Sequence, residues 1–200
     1  MITDRKLVTR HALLVTAVKK ALQGGIRAVQ FREKDMGTRD LLHLAYKMRN
    51  LTEEHKSKLF INDRFDIALA VGADGVHLTQ NSIPVSKVRE TVKKRLFIGV
   101  STHSLKQAKE AENGGADFIT FGPVYRTPSK RTYGNPVGID ALKQVSRKIS
   151  IPVFAIGGIN SSRIKHIRKS GAHGIALIRD VLASDNIKGK SQELINLSGA

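Results

Sequence analysis

Gly114-Gly115-Ala116-Asp117-Phe118-Ile119-Thr120-Phe121 is the stretch on which the reading of the fold turns. The polar segment before it has helical period, with Leu105, Ala108 and Ala111 on one side, and it stops at a glycine pair. A short run rich in β-branched and aromatic side chains begins at once. Glycine at that place supplies the left-handed cap that ends a helix. The same phrase recurs at Gly24-Gly25-Ile26, Gly72-Ala73-Asp74-Gly75 and Gly171-Ala172-His173-Gly174. Four near-copies of one helix-to-strand turn predict a quasi-symmetric chain.

Working outward, short apolar runs fall at 28–31, 58–61, 75–78, 96–100, 117–121, 152–156 and 174–178, with helical stretches between them. Most are apolar on both faces, as strands buried in a parallel sheet must be. Repeated strand–helix–strand order favours right-handed parallel crossovers. Met1-Ile2-Thr3 is read as the slightly truncated first strand of eight, which predicts an α/β fold of the (β/α)8 TIM-barrel class. An open doubly wound sheet is the competing architecture. No linker or low-complexity tract interrupts residues 1–200, so one domain is expected.

Composition narrows the partners. The 200 residues include no Cys and no Trp, which excludes a disulfide scaffold and any Cys-ligated metal. No apolar run approaches the length of a membrane span, and the first residues have no apolar signal core, so no membrane partner and a cytoplasmic location are expected. Lys and Arg total 34 against 17 Asp and Glu, a net +17 that favours anionic partners. The cations are scattered in pairs on helix faces and only ten aromatics are present. Nucleic acid is therefore not the expected partner; small phosphorylated substrates are.

In a barrel the loops after the strands build the site, so chemistry is sought there. Gln30-Phe31-Arg32-Glu33-Lys34 puts Gln30, Arg32 and Lys34 on one side and Phe31 and Glu33 on the other. An amide with two cations suits a phosphate or diphosphate, unless Glu33 simply neutralises them. Asn62-Asp63 follow the next run. Asp63 either caps the following helix or serves as a hard oxygen ligand for Mg²⁺. His77, inside an apolar run, reads as an interior histidine. Ser101 is a hydrogen-bond donor for substrate, Ser104 an N-cap, and His103 lacks an acid partner for a hydrolase triad. The long segment from Gly122 to Gly138 carries Thr127, Ser129 and Lys130, donors suited to oxyanions. Gly157-Gly158 bring bare amides to a helix start, a ready anion cradle.

These motifs together resemble the thiamine phosphate synthase and thiazole tautomerase superfamily of (β/α)8 barrels over essentially the whole length. The resemblance rests on Ile2-Thr3-Asp4-Arg5, Gln30-x-Arg32-Glu33-Lys34, Ile61-Asn62-Asp63-Arg64 and Gly75-Val76-His77-Leu78-x-Gln80. It continues through Gly99-Val100-Ser101, Phe121-Gly122-Pro123-Val124-Tyr125 with Thr127 and Lys130, and Ala155-Ile156-Gly157-Gly158-Ile159. It implies a transferase of thiamine biosynthesis that joins aminopyrimidine methyl diphosphate to thiazole phosphate and releases pyrophosphate. By that likeness Gln30, Arg32, Lys34, Asn62 and Lys130 hold the pyrimidine diphosphate, and Asp63 binds the Mg²⁺ cofactor. Ser101, Arg32 and Lys130 assist departure of pyrophosphate. Thr127, Ser129, Gly157, Gly158, Ile178 and Arg179 complete the substrate contacts. A homo-oligomer is compatible with the resemblance.

Two positions depart from the synthase pattern, and a third departs from the tautomerases. Ser82 stands where a second Mg²⁺ carboxylate is expected, and Arg179 replaces a small hydroxyl residue, where it either adds a phosphate contact or crowds the pocket. Pro123 stands where the tautomerases carry a histidine, and proline cannot move a proton. A thiazole tautomerase-like enzyme or a non-catalytic relative that binds thiazole or thiamine phosphate are the alternatives.

Overall fold

The structure, a computed structural model, describes residues 1–8, 11–127 and 135–199. Seven strands are present among them: β1 (Ala28–Phe31), β2 (Lys58–Asn62), β3 (Gly75–Leu78), β4 (Phe97–Thr102), β5 (Phe118–Phe121), β6 (Val153–Ile156) and β7 (Gly174–Ala176). Each of the seven runs expected from the sequence is a strand. The last is shorter than expected: Leu177 and Ile178 extend the apolar run, but Ile178 is the N-cap of the next helix.

The chain forms two compact units, residues 1–77 with 178–200 and residues 78–177. In the first, β1 and β2 pair in parallel with Val29 beside Leu59, and β2 pairs with β3 with Asn62 beside His77. Ile2 forms a parallel bridge to Gln30, the amide of Thr3 donates to the Gln30 carbonyl at 2.9 Å, and the Gln30 amide donates to Met1 O at 2.8 Å. The eighth strand read from Met1-Ile2-Thr3 is thus a single bridge. Helices α1 (His11–Gln23), α2 (Thr38–Glu54) and α3 (Phe65–Ala70) belong to this unit. So do α8 (Arg179–Leu182) and α9 (Ile187–Ser198). α2 buries Leu41, Leu44, Ala45 and Met48, the one-sided spacing of an amphipathic helix. α1 packs on α9 so closely that a Cβ on Gly24 would lie 2.5 Å from the Lys188 carbonyl oxygen.

In the second unit β4, β5, β6 and β7 pair in parallel in sequence order, with Ser101 beside Thr120 and Phe121 beside Ala155. α4 (Val85–Val92), α5 (Leu105–Asn113), α6 (Gly138–Lys148) and α7 (Ile164–Lys169) are its helices. Ile98, Ile119 and Phe121 are essentially inaccessible to water. Strand and helix alternate throughout, and the fold class is that of the (β/α)8 barrels.

The repeated glycine turn has one geometry. Gly25, Gly72, Gly115 and Gly171 all have positive φ, between 63° and 92°. In three of them the residue after the glycine reaches back five residues to a helix carbonyl, as Ala73 does to Ala68 at 2.9 Å and Ala116 to Ala111 at 3.0 Å. The aspartate that follows ties down the neighbouring strand. Asp74 accepts from the Leu59 amide at 2.8 Å, Arg49 at 2.8 Å and Lys58 at 2.7 Å. Asp117 accepts from the Ile98 amide at 2.6 Å and from Arg89. Burial alone would raise the pKa of Asp74, but the bonds from Lys58, Leu59 and Arg49 hold it below the usual carboxylate range. These clamps lie where strands begin, so they serve the scaffold, and the opposite strand ends are left for chemistry.

Candidate functional site

In the first unit the carboxyl ends of β1 and β2 gather polar groups. Gln30, buried within β1, donates from Nε2 to the Oδ1 of Asn62 at 3.1 Å. That bond fixes both amides on one side of the sheet. Arg32 follows, with its backbone amide held by Thr3 Oγ1 at 2.9 Å. Thr3 in turn donates to Glu33 Oε1 at 2.7 Å, and the Arg5 amide donates to Glu33 Oε2 at 3.1 Å. Glu33 is buried; burial raises its pKa against the lowering effect of the Thr3 and Arg5 bonds. Asp35 pairs with Arg5 at 2.8 Å and Lys6 at 3.3 Å.

The consequence is electrostatic. Both acidic residues beside Arg32 and Lys34 are spent on the amino-terminal segment, so neither neutralises these cations. Arg32 and Lys34 take part in no ion pair among the described residues. Two cations without an ion-pair partner, on the segment that follows two hydrogen-bonded amides, suit an oxyanion. Glu33 is buried whereas Arg32 is half-buried and Lys34 exposed; the partners of Glu33 lie 28 and 30 residues away, and only Ile2-Thr3-Asp4-Arg5 as a motif hinted at them.

Asp63 follows β2 in the left-handed region, with φ of 65°, and its amide donates to the His77 carbonyl at 2.9 Å. It does not cap α3: the N-cap is Arg64, with no side-chain cap bond. Arg64 grips Asp66 through both oxygens, at 2.8 Å and 2.6 Å. The exposed Asp63 carboxylate accepts no hydrogen bond and joins no ion pair among the described residues. Near the Arg64 charge but outside any hydrogen bond among the described residues, this exposed carboxylate has oxygens of the kind a hard cation takes. Ser82, by contrast, is spent on its own turn. Its hydroxyl accepts from the Thr79 amide at 2.7 Å. No group of three or more His, Cys, Asp or Glu able to hold a metal occurs among the described residues. One carboxylate fits Mg²⁺ when phosphate oxygens supply most of the remaining ligands.

His77 is 3% exposed, and burial, helped by the nearby Arg32 charge, pushes its pKa down to about 4. It is the interior histidine read from the sequence, neutral at physiological pH. Ile178 and Arg179 begin α8, Arg179 exposed. No hydrogen bond or ion pair joins either one to Gln30, Arg32, Asn62 or Asp63 among the described residues.

In the second unit Ser101 lies in β4, half-buried, and its carbonyl accepts from Gln80 Nε2 at 2.7 Å. Ser104 caps α5 by accepting from the Gln107 amide at 3.2 Å, as the sequence indicated. His103 Nδ1 bonds the Gly122 carbonyl, tying the end of β4 to the segment after β5. That segment interlocks with the one after β6. The Val124 amide donates to Ile156 O at 2.9 Å and the Tyr125 amide to Gly157 O at 3.0 Å. Gly157 and Gly158 have φ of 99° and 62°. A Cβ on Gly157 would lie 2.5 Å from the Pro123 Cα, and one on Gly158 2.6 Å from Arg126 O. Both glycines are therefore required by the approach of residues 123–126 as well as by their backbone angles. Thr127, half-buried, follows directly. Beyond Gly158 the chain forms a 3₁₀ turn (Ser161–Arg163) that runs directly into α7. Ser129 and Lys130 lie outside the described residues. Arg163, which contacts this loop pair, was not singled out from the sequence, and Tyr125 entered only as the end of the Phe121–Tyr125 motif with no role of its own.

Comparison with known proteins bears on this arrangement. Residues 1–181 match the family model described as "Thiamine monophosphate synthase". A protein of Geobacter sulfurreducens named "Putative thiamine-phosphate synthase" is 49% identical over 98% of this chain and 92% of its own length. A "Thiamine-phosphate synthase" of Clostridium novyi is 40% identical over 98% of this chain and 96% of its own. Among solved structures, a thiamine phosphate pyrophosphorylase from Pyrococcus furiosus superposes with a TM-score of 0.90 at 36% identity, covering 99% of this chain and 93% of that one. Among the described residues no helix is long and apolar enough to cross a membrane.

Proposed function

The chain belongs to the thiamine monophosphate synthase family, and from that premise we propose that it joins aminopyrimidine methyl diphosphate to thiazole phosphate, forming thiamine phosphate and pyrophosphate. The bond between the pyrimidine methylene carbon and the diphosphate oxygen breaks, and its electron pair leaves with pyrophosphate. The thiazole ring nitrogen supplies the pair for the new carbon–nitrogen bond and becomes cationic. No proton has to move, so no general base is needed, and none stands out.

The observation that carries this reading is that Arg32 and Lys34 join no ion pair among the described residues, on the segment that follows Gln30 and its bond to Asn62. Charge that grows on a leaving diphosphate is stabilised best by donors already fixed in place. Gln30, Arg32, Lys34, Asn62 and Lys130 take the diphosphate in this reading, and Ser101 assists its departure. Thr127, Ser129, Gly157 and Gly158 take the thiazole phosphate, and Ile178 and Arg179 border the substrates. Asp63 would hold Mg²⁺, which when bound would offset charge on the diphosphate. Pro123 supports the transfer over a tautomerase, because it offers no group to carry a proton. In this reading residues 1–200 act as one domain in the cytoplasm.

Purified protein supplied with both substrates and Mg²⁺ is expected to form thiamine phosphate, measured by oxidation to its fluorescent thiochrome. Absence of product above a no-enzyme control overturns the proposal.

A further inference from the structure

The geometry points to Arg163 as the positioning residue that holds the thiazole phosphate loop in its binding shape. The inference rests on the function proposed above and names a residue outside the substrate contacts. Arg163 closes the 3₁₀ turn after β6. Its amide donates to Asn160 O at 3.0 Å, and Asn160 Oδ1 accepts from Ser162 Oγ at 2.8 Å, so the turn is fixed at both ends. From there its guanidinium donates through Nη1 to the Gly158 carbonyl and lies over the Tyr125 ring, 4.5 Å from the centroid. One side chain thus grips the segment after β6 through a backbone oxygen and the segment after β5 through an aromatic face.

The two segments are joined by the Val124–Ile156 and Tyr125–Gly157 backbone bonds and approach closely, with Gly157 against Pro123 and Gly158 against Tyr125 and Arg126. To these Arg163 adds a side-chain tie. The direction of the Gly158 carbonyl also sets the direction of the next amide, because the peptide unit is planar. A guanidinium bound to that carbonyl therefore aims the following N–H away from itself, toward where an anion would be received. Stacking on Tyr125 holds the residues leading into Thr127. The planar fork serves both contacts at once, and an ammonium serves only the first.

The test is steady-state kinetics of Arg163→Ala, Arg163→Lys and Tyr125→Leu with each substrate varied in turn. Arg163→Ala is expected to raise KM for thiazole phosphate about tenfold, the size of one lost charge-assisted bond, with KM for the pyrimidine diphosphate within twofold. Arg163→Lys should recover part of the loss. Tyr125→Leu should show the same selectivity at smaller size, which an arginine binding phosphate directly would not produce. The chain has no Trp and three Tyr, so tyrosine emission gives a second readout that a merely structural role would not move with phosphate. Inorganic phosphate should change it in the wild type at lower concentration than in Arg163→Ala. Equal shifts in both KM values, or no shift in either measurement, overturn the assignment. Wild-type turnover with an unaltered Arg163→Ala sinks this inference alone. Absent wild-type turnover sinks the proposed function, and the phosphate titration then still decides for Arg163.

Discussion

His77→Gln is the perturbation whose effect follows most directly from the structure. His77 is 3% exposed within β3, and its pKa falls from 6.5 to about 4, chiefly through burial and secondly through the Arg32 charge. In the unfolded chain the imidazole protonates near 6.5; in the folded chain it stays neutral down to about 4. Between those values the unfolded state binds the extra proton, so acid favours unfolding and stability rises with pH. A difference of 2.5 pH units at 1.36 kcal/mol each gives about 3 kcal/mol, complete above pH 6.5 and lost as pH falls toward 4. For a chain of 200 residues that is on the order of 6–12 °C in melting temperature. The assay is urea unfolding of wild type and His77→Gln at half-unit steps from pH 7.5 to 4. Because glutamine does not titrate, the difference between the two curves isolates this one site. Wild type should lose about 3 kcal/mol relative to the variant across that window. A flat difference would mean that the folded protein accepts the proton on His77, and the burial argument would be wrong. Arg32→Gln should raise the His77 pKa only slightly, by NMR titration of the ring; full restoration to 6.5 would make the neighbouring charge the dominant cause.

Three further outcomes follow from named contacts. Gly37→Ala meets nothing within 4 Å and has no positive φ, so it should be neutral; Gly138→Ala carries only the strain of φ 83°, about 1–2 kcal/mol. Gly157→Ala adds a clash with Pro123 to the same strain and should cost about 2–5 kcal/mol by urea unfolding; equal effects at the three sites would remove the packing role. Arg32→Ala should lower turnover about 10²-fold, the usual loss for one fixed donor, and an unchanged rate would take Arg32 out of the site. Ser82→Asp keeps an acceptor for the Thr79 amide while adding a carboxylate, and it should lower the Mg²⁺ concentration needed for half-maximal turnover several-fold. An identical Mg²⁺ titration would place residue 82 away from the metal.

Much of the fold was legible because its signal is local. The positive-φ glycines and the apolar runs at β1 and β3 lie where short-range pattern puts them, since a left-handed cap and a doubly buried strand each demand particular residues in place. Boundaries failed where the demand weakens: Leu177 and Ile178 are apolar enough for a strand, and only the turn into α8 ends β7 at Ala176. At the site, alternation along residues 30–34 separated Arg32 and Lys34 from Glu33, but not the capture of Glu33 by Thr3 and Arg5, a contact across the sheet. That Asp63 does not cap α3 is a fact of the local backbone, where Arg64 takes the cap position. Gly157-Gly158 were read as bare amides; that the backbone of residues 123–126 also excludes a Cβ there is a tertiary fact, as is the hold of Arg163 on both segments.

The uncompensated charge of Arg32 and Lys34 is tested most directly by calorimetric titration of pyrophosphate, with Mg²⁺ present, into wild type and Arg32→Ala. Wild type should bind about one equivalent, and the variant should bind it at least about tenfold more weakly, the loss of one charge-assisted contact. Equal affinity in the two proteins would contradict the claim that this strand end receives the departing diphosphate.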